Sequence, residues 1–565
     1  MAAKFQSFHN NRTRLHLEFS NSYSYITPLP KLSPPSAYHT MFSTSLGKKQ
    51  CDSTWDGLPR EIRLLILEAL MQDGCTLGRL ATVSREWQTE FERYNFARIK
   101  LTPSRLVDFS SMIYRNRALV RYIWFCLELD DYDCTECAPT RGTLTEEEWE
   151  EAFAVSDTNN CPITTAFQNL FLILSTWDPN SDLVLDISIY SPSDSKHWFR
   201  YLTFMPDTPS DMLCGSGIEQ TISDKVYNDP QHGWVAGFRH SAPPTAAIRK
   251  VFHSVMEEGP FDSEQSELQW WDQLPLVPAV TSLLLRQQNR RRWMPGSLAH
   301  MFARFPRLQE VHYEPWREWD IMQSYTDRNF QYLFESIQRF NTNLKRLVVF
   351  ENFNQQYPAI MQRFLLGVDL SGCDSTRNPS PAISRMVALA SLKLEHLAAS
   401  FIVDASHFFE IEPSWEWPNL TSLVITSKLL TPDESSIEIG SMLQTVAAAA
   451  IKMPQLETME IWNGQKGLAA LFKYQAFRNI QQAIITWRGT WKLTMEPSII
   501  QAWEAVMNQY GGWRLNLVQE RLDKAVIKSH GDAIHYLMLS NQVIRPISLQ
   551  QIRIEQKALE GVETV

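Results

Sequence analysis

The chain has 565 residues but only 8 cysteines, scattered at positions 51, 75, 126, 134, 137, 161, 214 and 373. Thiols spread this way do not make a disulfide framework and fit a reducing, intracellular setting, cytoplasmic or nuclear. No apolar run reaches the ~18 residues that crossing a bilayer demands. No secretory apolar segment follows Met1. Positive charge is also scarce: 53 Lys and Arg stand against 63 Asp and Glu, a net charge of -10. Unspecific nucleic-acid binding draws on the opposite balance. Neither nucleic acid nor membrane is therefore expected as a partner. Catalytic signatures are missing as well. There is no His-Glu-x-x-His and no Gly-x-Ser-x-Gly. Gly215-Ser216-Gly217 lacks the third glycine of a dinucleotide loop, and Lys48-Lys49 follow no phosphate-cradling loop.

What the chain does have is apolar surface, with 44% hydrophobic residues, 19 Trp and 29 Phe. Large cores are available, and at ~100–200 residues per domain the length suggests two to four units. The sharpest local signal runs from Trp55 to Leu101. Leu58-Pro59 opens a helix, since proline gives up no useful N–H at a helix start. Asp73-Gly74 closes it. Ile62, Leu65, Ile66, Ala69 and Leu70 fill one side of the wheel, and Leu64, Leu67 and Met71 most of the other. Such a helix must be buried nearly all round. Two short amphipathic segments follow, one with Leu77, Leu80, Ala81 and Val83. The other is capped by Ser84 and carries Trp87, Phe91 and Tyr94. Together they cannot cover the first helix, and a leftover apolar patch points to a protein partner.

Leu58, Pro59, Glu61, Ile62, Ile66, Leu67, Leu70, Leu80, Val83, Trp87 and the closing Ile99-Lys100-Leu101 resemble an F-box over residues 55–101. Ser84 stands where many F-boxes have cysteine, and Gly74-Cys75-Thr76 replaces a common Asp-Leu. The resemblance implies that these residues dock to a Skp-type adaptor and, through it, to a cullin.

Residues 1–50 are rich in Ser, Thr, Asn and Pro, without period, and read as disordered. A transit peptide, or a translation start at Met41, are the alternatives. Residues 102–276 read as linker helices and a first set of irregular α/β units. They include strands at Val120–Leu129 and Leu183–Tyr190, a helix at Thr164–Trp177, an acidic helix face at Glu146–Glu151, and a long looped insertion over 191–275.

From Val277 to about residue 470 an internal repeat emerges, with spacing L-x-x-L-x-L. It recurs at Val280, Leu283, Leu285; Leu308, Val311, Tyr313; Leu344, Leu347, Val349; Leu389, Leu392, Leu394; Leu420, Leu423, Ile425; and Leu456, Met459, Ile461. Amphipathic helices lie between, as at Leu298–Phe305, Phe330–Phe340 and Ile439–Val446. One strand and one helix per unit resembles a degenerate leucine-rich repeat solenoid. Residues 471–565 are expected to form its α/β end cap. They hold strands at Ile484–Leu493 and Trp513–Val518 and a helix at Pro497–Tyr510. The whole resembles a family of fungal F-box proteins. The expected fold class is therefore mixed, α+β to α/β: a three-helix F-box, an irregular repeat region and an α/β cap.

Two further clusters bear on function. Arg286 and Arg290-Arg291-Arg292-Trp293 follow a repeat strand, where arginine forks suit an acidic or phosphorylated target on the rim. The alternative for them is a solvated basic loop. Cys134-x-x-Cys137 is metal-like, but structural zinc wants four ligands. The nearest spare thiols, Cys126 and Cys161, lack a second pair spacing, so two loop cysteines, no metal and no cofactor are expected. The resemblance then implies a non-catalytic subunit that recruits a target protein to a ubiquitin ligase. The alternatives are a scaffold that binds the adaptor without ubiquitin transfer, and an enzyme with its site in 191–275 or 471–545.

Overall fold

The computed structural model describes residues 55–72, 77–137, 161–207, 228–256, 260–354, 356–360, 374–509 and 511–560, less positions 262, 359, 411 and 541. The expectations for residues 1–50, Asp73-Gly74, Glu146–Glu151 and Gly215–Gly217 lie outside them. The chain divides into two units, residues 1–69 and 70–565.

The first unit carries most of helix α1 (Arg60–Gln72). The Pro59 carbonyl accepts from the N–H groups of Ile62 and Arg63, both at 3.1 Å.

The second unit begins with α2 (Leu77–Leu80) and α3 (Arg85–Ala97). It is built on one twelve-stranded sheet. In chain order its strands are β1 (Arg98–Leu101), β2 (Tyr122–Glu128), β3 (Leu183–Tyr190), β7 (Val280–Leu285), β9 (Glu310–Tyr313) and β10 (Arg346–Phe350). Then come β11 (His396–Asp404), β12 (Ser422–Thr426), β13 (Thr458–Gln465), β14 (Leu468–Phe477), β15 (Gln482–Gly489) and β16 (Arg514–Arg521). Two short pairs stand apart: β4 (Trp234–Val235) with β5 (Phe238–Arg239), and β6 (Ser254–Val255) with β8 (Arg292–Trp293). All neighbours in the large sheet are parallel except β14, which is antiparallel to both β13 and β15.

The helices are α4 (Pro103–Ile113), α5 (Cys134–Cys137), α6 (Pro162–Leu174), α7 (Thr245–Val251), α8 (Glu264–Gln273), α9 (Pro295–Ala303) and α10 (Asp320–Phe340). They continue with α11 (Pro381–Ala390), α12 (Ala405–Phe408), α13 (Ser436–Ala450), α14 (Pro497–Asn508), α15 (His530–Leu537) and α16 (Pro546–Glu560). Six of them (α4, α6, α9, α11, α14 and α16) begin on proline, whose fixed φ suits a first helical turn.

The repeat spacing becomes a ladder. Ile99, Ile123, Leu185, Leu283, Val311, Leu347, Leu397, Leu423 and Met459 are partners in turn across nine strands. Strand residues alternate faces, so this row and its i+2 neighbours form one aliphatic face. Helices α4, α6, α8 to α11, α13 and α14 pack on it to make the main core. In the units opening at Leu308, Leu344, Leu420 and Leu456 the first leucine of the spacing sits just before the strand, whereas Val280 is already the first residue of β7; the next two positions point into this core.

The residues that close the F-box-like stretch, Ile99-Lys100-Leu101, lie in the first strand of the sheet, paired with β2. Three expectations are corrected. The spacing at Leu389, Leu392 and Leu394 is not a strand: Leu389 ends α11 and Leu392 lies in a 3-10 turn. The true unit is Leu394, Leu397 and Ala399, five residues later. The 191–275 stretch is not one looped insertion; its described residues include α7, α8 and three short strands. Finally, residues 471–565 are not only an end cap. Strands β14 to β16 extend the sheet, but α15 and α16 fold back across its second face.

That second face is mixed. Trp124, Asp186, Leu284, His312, Val348, Ala398, Val424 and Glu460 follow one another across it. All are buried. Ile527, Ala533, Ile534, Leu537, Val543, Ile544 and Ile552 cover its apolar part. Trp198, Phe199, Tyr201, Trp234 and Ile248, with Trp316 and Tyr357, form a separate, mostly aromatic cluster. No described helix is long and apolar enough to cross a membrane.

Candidate functional site

On α1 the expected docking residues divide. Ile62, Leu65 and Ile66 are 44%, 59% and 37% exposed, whereas Leu67 is fully buried. Pro59 and Glu61 are exposed, and Leu58 and Leu70 are half-buried. The helix is thus not covered all round, as its apolar wheel would require of an ordinary core helix. In the second unit, Ser84 caps α3 by accepting from the Trp87 N–H at 3.3 Å. Trp87 and Leu80 are half-buried, Trp87 meets the buried Phe91 ring at 5.9 Å, and Val83 is 60% exposed.

The Arg290–Trp293 cluster is corrected: it forms neither an exposed rim nor a solvated loop. Arg290 is 2%, Arg291 8% and Trp293 5% exposed, and the Arg292 side chain only 9%. Each guanidinium meets an acid: Arg290 with Glu555 at 2.6 Å, Arg291 with Asp194 at 3.4 Å, Arg292 with Glu318 at 2.6 Å. Arg290 and Arg292 also lie 3.9 Å and 4.0 Å from the ring centres of Trp316 and Trp319. Both stacks face inward, on Trp316 and Trp319, while Trp293 packs against Phe167 in the core. Arg286 bonds Asp186 at 2.8 Å. Burial opposes its charge, but Asp186, Tyr122 and Asp207 together more than offset that, and the Arg286 pKa rises. The cavity beside this cluster, lined in part by Arg286, Arg291, Glu314 and Trp316, holds about 30 Å³. That is room for roughly a water molecule, not a peptide.

The partners of this cluster come from segments that carried no sequence signal. Glu555 on α16 also accepts from Asn354 at 2.8 Å, Tyr357 at 3.1 Å and Tyr201 at 3.2 Å. Backbone N–H groups of Ser540 and Arg545 donate to the buried carboxylates of Glu460 and Glu314, at 2.8 and 2.7 Å. A lone acidic residue near a C-terminus gives no hint of such a role. Isolated buried charges are costly, so the ties had to be somewhere.

The two loop cysteines are also placed differently from the expectation. Cys134, Cys137, His197 and His232 offer four ligand atoms all within 4.8 Å of one another. Cys134 Sγ lies 3.5 Å from His197 Nδ1 and 3.4 Å from His232 Nε2; Cys137 Sγ lies 3.8 Å from His232 Nε2. The outer nitrogens are engaged: His232 Nδ1 with Asp229 Oδ2 at 2.8 Å, and His197 Nε2 with the Tyr132 carbonyl at 3.4 Å. Asp229 is itself bonded to Arg200. Burial and the neighbouring Cys134 push the Cys137 thiol up to about 12, and burial holds His197 below the usual histidine range. Cys126 and Cys161, the spare thiols singled out from the sequence, are buried elsewhere and take no part in this group.

Residues 339–545, from the end of α10 through α15, match the model of a family of unknown function (DUF6546). The match leaves α1, the Arg286–Trp293 stretch and the Cys–His group outside it. No curated protein matches the chain.

Proposed function

We propose that this protein is a substrate-recruiting subunit of an SCF-type (Skp–cullin–F-box) ubiquitin ligase, docking to the Skp-type adaptor through α1. One observation carries the reading: Ile62, Leu65 and Ile66, three apolar residues of the F-box-like helix, remain exposed. Exposed neighbouring aliphatics on one helix are unfavourable in water unless a partner covers them. The spacing of Leu58, Pro59, Ile62, Ile66, Leu67 and Leu70 supports the same partner by resemblance. The protein's contribution would be proximity, raising the effective concentration of target lysines at the conjugating enzyme. Because the second sheet face is filled by the chain's own helices, a target must be taken up on an outer surface of the 70–565 unit.

The test is the double change Leu65→Ser and Ile66→Ser, which leaves the buried Leu67 in place. Capture of the adaptor should fall at least about tenfold, for a loss of 1.4 kcal/mol or more, with unchanged thermal unfolding. Undiminished capture would remove α1 as the docking element. A second reading, a scaffold without ubiquitin transfer, is favoured by the filled strand face. Adaptor captured without cullin would select it.

A further inference from the structure

The order of the strands brings three distant segments to one place. Strands β2 and β3 are parallel neighbours, so the chain leaves both at the same end of the sheet, where the Leu129 N–H donates to the Tyr190 carbonyl at 2.8 Å. Cys134 and Cys137 follow β2, one turn of helix apart on α5. His197 follows β3. His232 comes from the turn before the β4–β5 hairpin. Nothing but the fold relates these residues.

We propose that Cys134, Cys137, His197 and His232 hold one structural zinc ion. The geometry fits the metal in three independent ways. Zinc bonds sulfur at about 2.3 Å and imidazole nitrogen at about 2.0 Å, which sets a tetrahedral sulfur–nitrogen edge of about 3.5 Å. The measured separations of 3.5, 3.4 and 3.8 Å match that edge. Next, each imidazole gives its outer N–H to an oxygen, His232 to Asp229 and His197 to Tyr132. That fixes the tautomers so that both inner lone pairs face the thiols, the usual arrangement behind a metal-bound histidine. Last, a two-sulfur, two-nitrogen tetrahedral set selects zinc among the common divalent ions. All four positions are taken by protein, which makes the site structural and leaves none for a catalytic water. On binding, the two thiols ionise and release their protons to solvent.

The site has a mechanical consequence. Tyr132, two residues before Cys134, stacks on the His197 ring at 5.7 Å and donates to Asp194 at 3.0 Å. Asp194 is the acid that meets Arg291. A metal here ties residues 130–137, 192–198 and 228–235 to one another and keeps the partner of Arg291 in place.

The experiment uses the full-length chain purified without added metal. Elemental analysis should find about one zinc per chain, falling below about a tenth in Cys134→Ser with Cys137→Ser and persisting in Cys126→Ala with Cys161→Ala. Should the double serine variant fail to fold, the unaltered chain still decides. X-ray absorption at the zinc edge should show about two sulfur and two nitrogen neighbours. Iodoacetamide should modify the exposed Cys134 at least about tenfold faster once a chelator is present, because a coordinated thiolate is withheld from the reagent. Zinc below about a tenth per chain in the unaltered protein, or Cys134 alkylated equally fast with and without chelator, would overturn the proposal.

Discussion

His530 shows how far a single residue departs from what its type suggests. It begins α15 buried, its ring 4.2 Å from that of Phe353, with Phe350 and Phe401 also against it. Its Nε2 pairs with Asn352 Oδ1 at 2.8 Å, and burial alone holds its pKa down at about 3. In the unfolded chain a histidine titrates near ~6.5. Between those values the unfolded state binds a proton that the folded state refuses, so stability is full above about 6.5 and falls as pH drops towards 3. At pH 5 the loss from this one group is about 2 kcal/mol. His530→Gln keeps a donor for Asn352 and removes the titration. Denaturant unfolding at pH 7 and pH 5 should show a loss about 2 kcal/mol smaller in the variant; equal losses would mean that the ring is not held neutral. Little at this scale was legible from the sequence. Cys134-x-x-Cys137 was visible as a pair, but His197 and His232 join it only through strand order, and no local spacing encodes that. The arginines were visible too, yet their burial was not, because their acids sit as far away as Glu555.

At the scale of the element the sequence was far more informative. Strand β3 lies where its apolar run placed it, α10 and α13 contain the expected periodic stretches, and α14 starts at the expected Pro497 and runs to Asn508. Burial of one strand face selects aliphatics at a fixed spacing, and that selection is what L-x-x-L-x-L records. The misreading at Leu389–Leu394 has a physical cause. A helix that packs on the core also presents leucines three apart, as Leu389 and Leu392 do. The true strand carries small residues there, with Ala398 and Ala399 where its neighbours carry Val348 and Val349. Leu423 tests the ladder. It is fully buried between Leu397 and Met459. Leu423→Ala should cost about 2–5 kcal/mol through lost burial and a cavity. Chemical denaturation should show this as a lower midpoint with an unchanged slope; a loss below about 0.5 kcal/mol, the usual range for a surface change, would contradict the core position.

For the molecule as a whole, the decisive feature is closure of the second sheet face. Repeat strands in chain order would leave that face open, and no local pattern in Pro546–Glu560 marks a helix that closes it. The closure rests on ties between residues hundreds apart in the chain. The side chains of Arg290 and Glu555 are 1% and 6% exposed and 2.6 Å apart. Ser548 and Gln551 add bonds to Gln287 and Tyr201, at 2.9 and 2.8 Å. A buried pair of charges is worth little against an apolar replacement, but losing one partner leaves the other uncompensated, at about 3–5 kcal/mol. Glu555→Gln keeps an acceptor for Asn354 and the two tyrosines while removing the charge that Arg290 needs. Arg290→Met keeps the stem against Trp316 and removes the charge that Glu555 needs. Each single change should therefore cost about 3–5 kcal/mol. The double change leaves no orphaned charge, so it should cost no more than either single one, giving a coupling of several kcal/mol in a double-mutant cycle. Losses that simply add would mean that the two residues do not depend on each other, and that α16 is held over the sheet by its apolar contacts alone.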